Sequence, residues 1–141
     1  MSAEAFFDTN ILVYCFEPGE PGKQQRALEL VESALRDGSA VISTQVVQEF
    51  LSLATRKFAS AFTGEDLRMY LEAVLNPLCR VFPDAALYRL ALDVREETSF
   101  SFYDSLIVAG ALRAGCMLLH SEDMQHGRAV RGLVIENPFR K

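Results

Sequence analysis

The stretch AEAFFDTNILVYCF, Ala3 to Phe16, decides the fold class. Ala3 to Asp8 is a short apolar run that ends at a turn-former, so it reads as a first strand. Asn10 to Phe16 is equally apolar and fits either a returning strand or a helix. A returning strand needs a tight turn across Asp8, Thr9 and Asn10, and no glycine is present there. We therefore read a short helix, and the chain opens β-α rather than as a hairpin.

The alternation continues outward from that start. Phe16 to Gly22 (FEPGEPG) reads as a loop. From Lys23, apolar residues at Ala27, Leu28, Leu30, Val31, Ala34 and Leu35 predict a helix that Gly38 stops. Ala40 to Ser43 is a second strand, followed by a helix from Thr44 to Phe58. Thr63 to Leu75 is another helix, closed by Asn76-Pro77. Cys79 to Phe82 is a third strand, and Ala85 to Glu97 and Phe102 to Ala114 are helices. Met117 to His120 is a fourth strand and Leu133 to Asn137 a short fifth. Short apolar strands separated by helices imply a three-layer α/β/α sandwich with a central parallel sheet of four to five strands. The 141 residues make one domain, 1–141.

Half of the residues are hydrophobic and 23% are charged, which is a globular composition. Lys and Arg number 14 against 19 Asp and Glu, a net charge of −5, which speaks against non-specific nucleic-acid binding but not against a local basic patch. Cys15, Cys79 and Cys116 are far apart and form no CxxC or CxxH spacing, so neither a zinc site nor a disulfide framework is expected. No signal peptide or membrane-spanning run is visible, and a cytoplasmic protein is expected.

In a parallel sheet, ligands bind beyond the carboxyl ends of the strands, where strand order reverses. Asp8 follows strand one directly. Glu49 lies in the helix after strand two, and its side chain tilts back toward that helix's N-terminus. Asp104 is in the first turn of the helix leading to strand four, and Asp123 comes just after that strand. Four carboxylates from four segments therefore converge on one edge. Together they would hold raised pKa values unless a cation neutralised them. An all-oxygen set suits magnesium or manganese, and so phosphodiester hydrolysis by water. Each acid also has a plainer role. Asp8, Asp104 (three after Ser101) and Asp123 can cap helices or turns, and Glu49 can sit on an exposed face. Glu29, Glu32, Glu72, Asp93 and Glu96 fall elsewhere and read as solvated.

These residues resemble the PIN-domain family. Asp8-Thr9-Asn10 is similar to its DTN opening, Thr44 with Glu49 to its T-x-x-x-x-E motif, Tyr103-Asp104 to its Y/W-D motif, and Leu119 to Asp123 to its L-x-S-x-D motif. Any one of them is weak; four in order along the whole chain are specific. The subgroup most resembled is the VapC-type toxin ribonucleases. The resemblance implies a Mg2+- or Mn2+-dependent endoribonuclease, the toxin of a type II toxin-antitoxin pair, with a housekeeping RNA-processing nuclease as the alternative. Asp8, Glu49, Asp104 and Asp123 would be catalytic and metal-binding, with Thr9 and Ser121 supporting them through hydroxyl contacts. Glu122 competes with Asp123 for the fourth place, and Asn10 is expected to cap the short helix. RNA substrate, a small antitoxin and a homodimer are the implied partners.

Two other families cluster acids similarly. A haloacid-dehalogenase-type phosphatase needs an aspartate where Asn10 stands, and a receiver-type signalling domain needs an acidic pair and a lysine that are missing. A PIN fold that binds without cutting is disfavoured by the intact quartet. His120 and His126 are poor partners for a hard cation. Arg56, Lys57, Arg128 and Arg131 read as solvated surface, with phosphate contact as the alternative. The stripe of Leu67, Tyr70, Leu71, Val74 and Leu75 reads as core, with a share in a dimer face as the alternative.

Overall fold

The computed structural model describes residues 3–58 and 60–140. Six strands form one sheet in the order β3-β2-β1-β4-β6-β5. They are β1 (Ala5–Phe7), β2 (Ala40–Ser43), β3 (Cys79–Val81), β4 (Leu118–His120), β5 (Ala129–Val130) and β6 (Leu133–Glu136). β1 is central and buried throughout. It pairs in parallel with β2 (Phe6 opposite Val41) and with β4 (Phe7 opposite His120). Strand order reverses between β1 and β4, so a crevice opens beyond their carboxyl ends.

The helices are α1 (Thr9–Tyr14), α2 (Pro21–Asp37), α3 (Thr44–Arg56), α4 (Gly64–Tyr70), α5 (Asn76–Leu78), α6 (Ala85–Thr98) and α7 (Phe102–Arg113). α1 packs on α2 and α3, α2 on α5, and α6 on α7; with this strand order the right-handed crossover rule puts the first group and the α6–α7 pair on opposite faces of the sheet. On the first face Phe16, Phe50, Phe62 and Tyr70 meet ring to ring, with Phe16 and Phe62 centroids 4.8 Å apart. On the second, Gly110 of α7 lies over the Phe6 ring. Among the described residues no helix is long and apolar enough to cross a membrane.

The expected α/β sandwich is what forms, with three local corrections. The sheet has six strands rather than four or five, because β5 and β6 make an antiparallel hairpin at its edge. Its two-residue turn, Arg131-Gly132, has positive φ at both positions, 51° and 88°. Such turns normally advertise themselves as Asn-Gly or Asp-Gly, and arginine hides this one. α2 begins at Pro21, inside the expected loop, because proline at the first helical position loses no hydrogen bond and brings a helical φ. The helix expected to close at Asn76-Pro77 runs on instead. Leu71–Leu75 forms a π turn in which the Asn76 N–H reaches back to the Leu71 carbonyl, and α5 follows with Pro77 inside it. The wider turn relieves the clash a proline ring makes with the carbonyl four residues earlier. Leu75 of the apolar stripe is buried, and Leu67, Tyr70, Leu71 and Val74 pack half-buried against the core.

Candidate functional site

A cavity of about 800 Å³ lies at the carboxyl end of the sheet, and Asp8, Glu49, Asp104 and Asp123 all line it. β1 delivers Asp8, which is nearly buried at 8% exposure. Its Oδ1 accepts from the Thr9 N–H at 2.8 Å, so it caps α1. Its Oδ2 accepts from the Ser121 hydroxyl at 2.8 Å. Capping therefore occupies one oxygen, and each oxygen keeps a lone pair. Burial pushes the Asp8 carboxyl up to about 6, against the Ser121 and Thr9 hydrogen bonds, and the nearby charges of Glu49 and Asp104 push it the same way.

The other acids are oriented by neighbours on α1 and α3. Ser43 caps α3 by accepting from the Val46 N–H, which sets the phase that turns Glu49 to the cavity. Glu49 Oε1 accepts from the Thr9 hydroxyl at 2.6 Å, and Gln45 Nε2 approaches its Oε2 at 3.5 Å. At α7, Ser101 caps by accepting from the Asp104 N–H at 3.1 Å. The Asp104 carboxylate does not complete a capping box and makes no hydrogen bond among the described residues, so it is left to the cavity. Asp123 Oδ2 accepts from Asn10 Nδ2 at 3.1 Å. Its neighbour Glu122 is engaged otherwise. It is bonded to the Tyr14 hydroxyl and to Lys23 Nζ, the latter at 2.7 Å. Burial raises the Glu122 pKa, but Lys23 and Tyr14 outweigh it, and the carboxyl sits below its ordinary range.

The donor chemistry around the cavity is oxygen only. Among the described residues no three His, Cys, Asp or Glu side chains are already gathered as a ligand cage. The acids instead stand around open space. That suits a magnesium-type ion, which keeps several waters and takes one or two carboxylates directly. The desolvated Asp8, with two further carboxylates raising its pKa, is a position that a cation would relieve.

A family model described as "PIN domain" matches residues 5–131. The chain belongs to the PIN domain family. No curated protein sequence matches it. Among solved structures, this PIN domain is similar to a toxin-antitoxin complex from Klebsiella pneumoniae, at 18% identity and a TM-score of 0.69, covering 95% of this chain and 97% of that one. It is also similar to VapBC2 from Rickettsia felis, crystallised with a DNA fragment from the promoter, at 18% identity and a TM-score of 0.64, covering 94% and 97%. FitAcB from Neisseria gonorrhoeae is similar at 20% identity and a TM-score of 0.60, covering 97% and 99%. At these identities the likeness is one of fold.

The PIN domain's geometry also revises several roles. Asn10 does not cap α1, since the helix starts at Thr9 and its cap is Asp8. Asn10 instead bridges to the loop after β4, taking the Glu122 N–H on its Oδ1 at 3.2 Å while holding Asp123. Arg56 and Lys57 line the cavity rather than merely facing solvent. Arg56 falls there because α3 turns residues 49, 52, 53 and 56 to one side. Arg128 and Arg131 are used elsewhere, Arg128 over the Phe100 ring and Arg131 paired through two bonds with Glu97. Glu17 and Glu20, from the loop before α2, also line the cavity, and no spacing in the sequence marked them. Neither histidine lines it. His120 is buried beside Phe7, and burial holds its pKa below the ordinary value.

Proposed function

We propose that this PIN domain is a metal-dependent endoribonuclease, the toxin of a toxin-antitoxin pair, acting with Mg2+ or Mn2+. The observation that carries the reading is the convergence of Asp8, Glu49, Asp104 and Asp123 on one cavity at the strand-order reversal. These four carboxylates would hold the ion, one or two of them directly and the others through its waters, Asp8 foremost because its burial leaves it most in need of a countercharge. A bound ion of this kind supplies a water of lowered pKa and neutralises charge on the phosphate. The chain's own part is orientation. Ser121 and the Thr9 N–H fix Asp8, the Thr9 hydroxyl fixes Glu49, and Asn10 fixes Asp123. Lys23 and Tyr14 withdraw Glu122, which favours Asp123 as the fourth acid.

Among the described residues, seven carboxylates and two cations, Arg56 and Lys57, line the cavity. Arg56 and Lys57 would receive the phosphates of a polyanion beside a bound ion, and a basic segment of an antitoxin has a complementary surface to occupy. The similar structure from Klebsiella pneumoniae is described as a toxin-antitoxin complex, which supports such a partner here. A homodimer belongs to the same reading, and sedimentation of the isolated chain tests it. The deciding assay is cleavage of structured RNA with Mn2+, Mg2+ or EDTA. Cutting is expected with either ion and not in EDTA; cutting that persists in EDTA overturns the metal-dependent reading.

Arg56 offers a separate check. Its guanidinium has no carboxylate partner among the described residues and only a weak 3.4 Å contact with the Ser52 hydroxyl. Arg56→Gln is expected to raise KM several-fold with kcat little changed, and to lower the salt slope of RNA binding by about 1. Titration across a range of salt concentrations reads this, and an unchanged slope removes Arg56 from the phosphate path.

A further inference from the structure

Beside the acid cavity lies a smaller one of about 260 Å³, and the two share Gln48 and Tyr103 in their walls. It is built where the start of α3 meets the starts of α6 and α7. Its character differs sharply from its neighbour's. The large cavity is dominated by carboxylates, whereas among the described residues no Asp, Glu, Lys, Arg or His lines the small one. Its wall combines aromatic rings (Tyr88, Phe102, Tyr103), Pro83 and the amides of Gln45 and Gln48. Tyr88 and Tyr103 are 44% and 65% exposed, so the core does not account for either ring. Gln45 is only 8% exposed. Its Nε2 is committed to the Tyr103 carbonyl at 3.1 Å, and its Oε1 is buried with no partner among the described residues. A buried acceptor of this kind lacks a donor.

Neutral, ring-walled and amide-edged, the pocket rejects a phosphate or a charged side chain and suits a flat uncharged group that carries N–H donors. Its volume admits one such group. Its position matters equally, because Tyr103 is bonded in sequence to Asp104 and Gln48 to Glu49. Whatever fills it lies next to the acids. We propose that this pocket is a base-binding subsite, which takes one unpaired nucleobase from the nucleotide adjoining the phosphate held in the acid cavity. Tyr103 and Tyr88 supply ring surface for stacking, and the glutamine amides read the base edge. The inference rests on the nuclease reading and adds to it a preference for single-stranded RNA with a particular base beside the cut.

The test is an abasic scan. Single-stranded oligoribonucleotides that differ only in which one nucleotide lacks its base are compared for cleavage rate with Mn2+ and for binding by fluorescence anisotropy with Ca2+. For the wild type, one position adjoining the cut should weaken binding roughly five- to a hundred-fold, the range of base–aromatic stacking. Tyr88→Ala, which lies outside the acid cavity, should bind the intact RNA more weakly and lose much of the extra penalty at that position. Tyr103→Ala should do the same and Tyr103→Phe should restore it. A flat scan in a protein that still binds and cuts RNA overturns the subsite and leaves the nuclease reading standing. A penalty that persists undiminished in both alanine variants also overturns it. Failure of the wild type to bind any of the oligonucleotides overturns both.

Discussion

Asp8→Asn and Asp104→Asn are each expected to lower metal-dependent RNA cleavage by at least about 100-fold while the protein stays folded. The floor comes from comparison with residues that only orient ligands, whose loss costs about 10- to 100-fold. Ser121→Ala, which removes the hydroxyl on Asp8 Oδ2, should fall within that lower range. Stability should separate the variants in the same direction. Asp104 takes part in the α7 cap only through its backbone N–H, which donates to the Ser101 hydroxyl, so its carboxylate is dispensable to the fold. Asp8→Asn removes a buried charge that burial disfavours, and at neutral pH without metal it should melt no lower than the wild type. Initial rates with Mn2+, alongside thermal melts, check both halves. Activity retained by both variants would sink the proposed roles, and unfolding of Asp8→Asn would return Asp8 to a purely structural place.

The second large effect is a pH dependence of stability that belongs to Asp8. Its ordinary value is 3.8 and in the folded protein it rises to about 6, because burial disfavours the charged form. Between those values the native state binds the extra proton and the unfolded state does not. The contribution is therefore fully present below about pH 4 and is lost as pH rises through 6. The separation corresponds to roughly 3 kcal/mol. Denaturant unfolding of the metal-free protein at pH 4 to 7.5, as the difference between wild type and Asp8→Asn, isolates it from other groups. Manganese should reverse the trend. An ion that binds the ionised site stabilises the native state by mass action, by about 2.7 kcal/mol at a hundred times its Kd. Millimolar Mn2+ should therefore raise the wild-type melting temperature more at pH 7 than at pH 5, and hardly at all for Asp8→Asn. An equal shift in both proteins would place the metal elsewhere.

The meeting of the four acids at one cavity was largely legible because its signals are local. Asp8 ends a run of buried apolar residues, Glu49 interrupts an apolar helix past any capping position, and Asp104 follows a serine cap. Period and punctuation suffice to put those acids at the carboxyl ends of strands or the starts of helices. The errors arose where a local signal was missing or outvoted. Arg131 occupies a left-handed turn position without the usual residue, and Pro77 is carried through a helix by a π turn that no single-residue preference announces. Asn10 looked like a cap because caps are what asparagine most often provides beside a helix start.

Taken alone, the alternation of strands and helices and the four acids are properties of the sequence, because backbone preference and hydrophobic period act over a few residues. The contacts that make a site of those acids are not. Thr9 meets Glu49 across 40 positions, and Ser121 meets Asp8, as Asn10 meets Asp123, across 113. Those meetings, the placing of Arg56 among the acids and the ring-walled pocket beside them exist only because β1 pairs with both β2 and β4. Strand neighbours are chosen by how the whole core buries its apolar surface, and that choice belongs to the tertiary structure.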